Sequence, residues 1–288
     1  MRGIKPLLLA ALAVVTAVAA VADSPAEPRP FPAPCTMRVE SELFAGGDEP
    51  VARSLTLFHE GVAWDFLELP AADASGDQAM KLTEIVLHDP ARERIVVIDP
   101  VRGVKTEIPL IRLERLSVSL ARWARASDDR LVRWAGGPDF AAGMEESVGR
   151  LELAGPRVRY AVAHVDAPSP EAADTYRRFA DTAILLRALL QPGGIPPFPR
   201  LALNERLKET ASIPAEVTLE IEPRGGLLAG GTDRLRSVHR SHPRLLASDL
   251  SRLDEARQSV AAAERVGLAS FMERPDDHET AAEGGRQN

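Results

Sequence analysis

Between Thr83 and Ile108 the chain runs TEIVLHDPARERIVVIDPVRGVKTEI, three short aliphatic runs separated by two polar turns. Each turn opens on the same dipeptide, Asp89-Pro90 and Asp99-Pro100, with an arginine beyond it (Arg92, Arg102). Proline presets the backbone for a turn, and an aspartate carboxylate can accept from the backbone two residues on. Gly103 suits the positive φ that closes the second turn. Pairing His88 with Glu93 and Ile98 with Val104 puts Thr83, Ile85, Leu87, Arg94, Val96, Ile98, Val104, Thr106 and Ile108 on one face. Glu84, Val86, His88, Glu93, Ile95, Val97, Lys105 and Glu107 take the other. The first face holds six aliphatics and one charge, the second three aliphatics and four charges. A sheet dry on one side and wet on the other is expected, covered on a single side.

The same alternation predicts strands before this ribbon, over Met37–Phe44, Val51–Phe58 and Val62–Leu69, the last two joined at His59-Glu60-Gly61. After it the period changes. Leu113, Leu116, Leu120 and Trp123 recur at helical spacing from Leu110, with Leu131 and Trp134 continuing the pattern past Asp128-Asp129. Strands return at Ser147–Leu153 and Val158–Val165. Ser169-Pro170-Glu171 then supplies a cap, a first-turn proline and an acid for a helix running to Leu190. A short helix over Leu201–Lys208 follows a proline connector. Strands at Ala215–Ile221 and Arg234–Ser241 flank a glycine-rich tip, and a last helix, capped by Ser248, runs to Val266. Strands and helices are segregated, which predicts an α+β fold on an antiparallel sheet.

Residues 1–22 combine Arg2 and Lys5, the apolar run Leu7–Val21 and a small-x-small end at Ala20-Val21-Ala22, the pattern of a cleavable signal peptide cut after Ala22. A periplasmic or secreted protein is expected. Residues 23–36 form a proline-rich leader, 37–266 one α+β domain, and 267–288 a polar, disordered tail. The net charge of −7 argues against nucleic acid, which needs a basic footprint. No second apolar run suggests stable membrane insertion once the signal is removed. The single cysteine, Cys35, excludes an internal disulfide and follows the cleavage point too distantly for lipid attachment.

Candidate chemistry is sparse. His239 and His242, with Asp249 beyond, have the spacing of metal ligands, but residues three apart on a strand point to opposite faces. Ordinary surface histidines are expected there, and no metal. His59 and Asp65 flank the Gly61 turn and could meet across it, but with no placed nucleophile both are expected to be solvated hairpin residues. No phosphate loop, dinucleotide fingerprint or nucleophile elbow occurs. No catalytic residue, cofactor or enzymatic activity is expected. Trp64, Phe66, Ile85, Leu87, Val96 and Ile98 are the candidate ligand-binding residues. They form either a filled core under helices or the apolar wall of an open cavity.

Trp64-Asp65-Phe66 and the ribbon IVLHDPARERIVVIDPVRGVKTEI resemble the strand pattern of periplasmic lipoprotein-carrier (LolA-like) proteins and their relatives, over roughly Met37–Leu120. The resemblance implies a curved antiparallel sheet, an incomplete barrel, with helices packed on its concave side around a lipid-holding cavity. It implies a non-enzymatic exported protein whose partner is a lipid or a lipidated protein. The helix around Tyr176–Leu190, the proline connector and the helix at Leu201 depart from the family pattern. The alternative from another class is a structural or protein-interaction module of the cell envelope with a filled core.

Overall fold

The structure is a computed structural model that describes residues 35–72, 78–140, 143–222 and 233–273. The expected signal peptide, most of the leader, the glycine-rich tip and the tail beyond Glu273 lie outside the described residues. Nine of the strands are β1 (Met37–Ala45), β2 (Ala52–His59), β3 (Val62–Ala72), β4 (Gln78–Asp89), β5 (Arg94–Asp99), β6 (Val104–Pro109), β7 (Met144–Ser147), β8 (Arg150–Gly155) and β9 (Val158–Asp166). The others are β10 (Ser212–Ile221), β11 (Asp233–His242) and the two-residue β12 (Glu264–Arg265). All twelve join one sheet in the order β12-β6-β5-β4-β3-β2-β1-β11-β10-β9-β8-β7. Every pairing is antiparallel except β12 with β6, and the sheet is curved and open. The α+β class follows from the sequence pattern.

The helices are α1 (Leu110–Arg125), α2 (Arg130–Ala135), α3 (Pro170–Leu190), α4 (Phe198–Glu209), α5 (Ala247–Ala262) and α6 (Leu268–Met272). Ser169 caps α3 by accepting from Ala172 N at 3.2 Å, and Asp129 caps α2 by accepting from Leu131 N at 2.8 Å. At α5 the expected cap Ser248 is replaced by Asp249, which accepts from Leu246 N at 2.8 Å. The segment expected as one strand over Ser147–Leu153 is a hairpin, β7–β8, turning at Val148-Gly149, where Gly149 has φ +69°. Helix α6 lies beyond the boundary drawn at residue 266.

The ribbon's turns form as the Asp-Pro pairs dictate, yet their lengths move the register. Asp89 accepts from Arg92 N at 3.2 Å, and Asp99 from Val101 N and Arg102 N at 3.0 and 2.9 Å. A 3-10 turn over Pro90–Arg92 and a left-handed Glu93 lengthen the first connection, so His88 pairs with Ile95 rather than Glu93. That slip of two preserves the faces. In the second turn Ile98 pairs with Lys105 rather than Val104, a slip of one. It moves Val104, Thr106 and Ile108 to the face of Val86, Ile95 and Val97, and sends Lys105 and Glu107 the other way.

Water is excluded from both faces of this ribbon, contrary to the single covered side expected. Ile95, Val96, Val97 and Ile98 are all buried, at most 3 % exposed. On one face Ile85, Leu87, Val96 and Ile98 pack against Leu253 and Ala256 of α5. On the other, Val86, Ile95, Val97 and Ile108 pack against Leu113 of α1 and Leu186 of α3. Four consecutive apolar residues are the mark of a strand buried on two sides. The charges at the ribbon's margins are paired: Arg187 of α3 reaches down to Glu84, and within the ribbon Arg94 of β5 pairs with Glu107 of β6 at 3.1 Å. Lys105 donates to the Val260 carbonyl of α5.

Beyond β2 the two faces differ. The α5 face continues as a charged surface, with Arg53–Glu42 at 3.1 Å and Arg236–Glu216 and Arg240–Glu42 both at 3.6 Å. The opposite face is core: Leu151, Leu153, Tyr160, Val162 and Val217 pack on Leu131 of α2 and Leu203 and Leu207 of α4.

Candidate functional site

The six wall candidates do converge. Trp64, Phe66, Ile85, Leu87, Val96 and Ile98 form one apolar cluster, each at most 7 % exposed. Leu253 (0 % exposed) and Ala256 of α5 fill the space above them, with Val260 and Ala263 alongside. Rim ion pairs hold α5 in place: Arg38–Asp249 at 3.2 Å, Arg252–Glu68 at 3.4 Å and Arg257–Glu60 at 3.1 Å. Trp64 Nε1 is sealed in this layer without a hydrogen-bond partner. In this state the wall is packed interior.

Polar groups gather on the other face, beneath α3 and α4. Asp65 accepts from Thr56 Oγ1 at 2.7 Å, and burial pushes its pKa up to about 6 against that hydrogen bond and the charge of Arg187. His88, 7 % exposed, lies beside Phe179 with ring centroids 6.4 Å apart. Burial pulls its pKa down to about 4, opposed by Asp89. Asp65, His88, Thr182 and Arg187 line a cavity of about 30 Å³, room for roughly one water. His59, the partner considered for Asp65, sits opposite Val62 on the other face, and the two do not meet.

Further along, His239 is half-buried rather than an ordinary surface histidine. Its Nδ1 lies 2.8 Å from Ser41 Oγ and its Nε2 3.0 Å from Ser237 Oγ. Burial, then the charge of Arg200, draws its pKa down to about 3. His242 is on the opposite face, as strand alternation requires. Arg200 of α4 has Nη1 buried and unpartnered, and burial lowers its pKa against the influence of Tyr176 and Tyr160. A histidine between two serines has the outline of a nucleophile–base pair. Its basicity is nonetheless far below what a general base at neutral pH needs, and its two ring nitrogens meet hydroxyls rather than an orienting carboxylate. No group of three or more His, Cys, Asp or Glu side chains suited to a metal occurs among the described residues.

An open groove lies on this face at the C-terminal end of α3. Leu67 and Leu69 of β3, Leu190 of α3 and Phe271 and Met272 of α6 supply its apolar side. Thr83, Glu84, Asp99, Arg102, Arg187 and Gln191 supply its polar side. The β-bulge opposite Leu67/Glu68 falls beside it. Arg102 fixes α6 by donating to the Phe271 and Glu273 carbonyls at 2.6 and 2.7 Å while its Nε donates to Asp99 at 2.8 Å. The volume is about 170 Å³, below the roughly 300 Å³ of pockets that engulf a whole ligand. It can seat one end of a chain. Sequence reasoning missed it because α6 falls where a tail was expected.

Compared with known proteins, the chain matches no family model and no curated relative.

Proposed function

We propose that this is a non-enzymatic protein of the bacterial envelope that binds an acyl chain, as a lipid or as the anchor of a lipidated protein, by one end in the α3–α6 groove. The carrying observation is that Leu67, Leu69, Leu190, Phe271 and Met272 leave apolar surface open beside a set of paired charges. An amphiphile matches that division, its chain against the leucines and its head among Thr83, Gln191 and the balanced Arg–acid pairs. The curved open sheet and the LolA-like ribbon agree with it, as does an exported chain. Each buried methylene contributes about 0.8 kcal/mol, so a chain inserted a few carbons deep binds weakly and releases readily, as a carrier requires.

Titration with a fluorescent fatty acid tests this. The wild-type protein is expected to take up the probe with saturation, and Leu69→Glu or Met272→Glu to weaken uptake about tenfold or more. Absence of uptake, or uptake indifferent to both substitutions, overturns the reading.

A second reading, a structural or interaction module with a filled core, is favoured by one observation: the six-residue wall is closed by α5. Under it the groove is a surface crease without affinity for acyl chains.

A further inference from the structure

Helix α1 carries three large apolar side chains turned outward: Ile111 (50 % exposed), Val118 (62 %) and Trp123 (58 %). Its inner side, Leu113 and Ala124, is buried. Ile111, Arg115, Val118 and Arg122 follow one another at steps of four, three and four, which lays them along one stripe, with Arg112, Ser119 and Trp123 on its flank. Arg112, Arg115 and Arg122 are exposed, and each lacks an ion-pair partner among the described residues. Arginines elsewhere, such as Arg38, Arg53, Arg94, Arg187 and Arg252, are held by carboxylates. Against a chain of net charge −7, α1 holds four arginines and one acid, Glu114, a local charge of +3.

Uncompensated arginines beside exposed Ile, Val and Trp make a surface for something both anionic and apolar. An amphipathic helix with this composition lies in the interface of a bilayer, its aromatic and aliphatic side chains among the acyl boundaries and its arginines at the phosphates. We propose that the outer face of α1 is a docking surface for a membrane containing anionic phospholipid. An acidic protein partner would satisfy the arginines, but it would leave Ile111, Val118 and Trp123 without the apolar phase that a bilayer offers. The surface also lies in a useful place. Leu110 and Leu113 on the inner side of α1 belong to the same apolar cluster as Leu190 and Phe271 of the groove.

The test is co-sedimentation of the protein, purified as exported, with vesicles of phosphatidylcholine alone or mixed with phosphatidylglycerol. Binding to the anionic vesicles that weakens with added salt is expected. Arg112→Gln, Arg115→Gln and Arg122→Gln together should reduce it on the order of a hundredfold. Val118→Ser with Trp123→Ser should abolish it while circular dichroism shows an unchanged fold. Equal partition into both vesicle types, or binding unaffected by either variant, overturns the proposal. So does self-association that the Val118/Trp123 variant dissolves without any vesicle binding, which would make a second copy of the chain the occupant. Docking does not depend on the acyl reading: loss of fatty-acid uptake with intact vesicle binding sinks that reading and supports this one.

Discussion

Asp65 and His88 line one small cavity, yet their ionisations bear on stability in opposite senses. The folded chain holds the Asp65 proton up to about pH 6, while the unfolded chain releases it near 3.8. Stability therefore falls as pH rises between those values, and the cost is complete above pH 6. His88 stays neutral down to about pH 4 when folded but protonates near 6.5 when unfolded, so its contribution is lost as pH drops through that window. His239 has the sign of His88. Asp65→Asn is expected to stabilise the protein at pH 7.5 by roughly 1–3 kcal/mol and to change little at pH 4. Its urea-unfolding free energy should then fall more steeply on acidification than that of the wild type, while His88→Gln should flatten the fall. A destabilised Asp65→Asn protein at pH 7.5 would mean that the carboxylate is supported there rather than penalised. None of this was legible in the sequence, where Asp65 and His239 read as solvated residues. Their burial comes from α3 and α4, elements distant in the chain.

The Asp-Pro turns were the most legible elements, because their chemistry is local. Asp89 is 1 % exposed and serves Arg92 N, Arg92 Nη1 at 2.9 Å and Arg94 Nε at 3.5 Å. Asp89→Ala removes a turn cap and with it the buried acceptor of the Arg92 backbone N–H and of the Arg94 guanidinium. It should cost about 1–3 kcal/mol in chemical denaturation, with Asp99→Ala, whose carboxylate is half-buried, costing less. Equal losses would argue against burial as the amplifier. The faces were less legible than the turns. A slip of one residue at Ile98–Lys105 depends on how four turn residues are accommodated, which spacing alone leaves open. Counting the charges of Glu84, Lys105 and Glu107 as a wet face ignored the unbroken Ile95–Ile98 run. Trp123 shares helical spacing with Leu113, Leu116 and Leu120, yet it falls on the flank of the exposed stripe of α1.

Across the molecule, one curved sheet supports two unlike environments. On one side α5 closes an apolar layer whose six residues share one face, as alternation placed them, because each strand's pattern of large apolar side chains sets its inward face. That the wall is filled rather than hollow depends on Leu253 and Ala256, far along the chain, and no local pattern announces it. On the other side α3, α4 and α6 cover a mixed polar layer and leave the groove at Leu190 and Phe271. Binding of an acyl chain in that groove is the claim on which the functional account rests. Native mass spectrometry of the purified protein, alongside Leu67→Arg, puts it most directly to the test. The account predicts adducts of fatty-acyl mass on the wild type and none on the variant; a bare polypeptide mass for the folded wild type would contradict it.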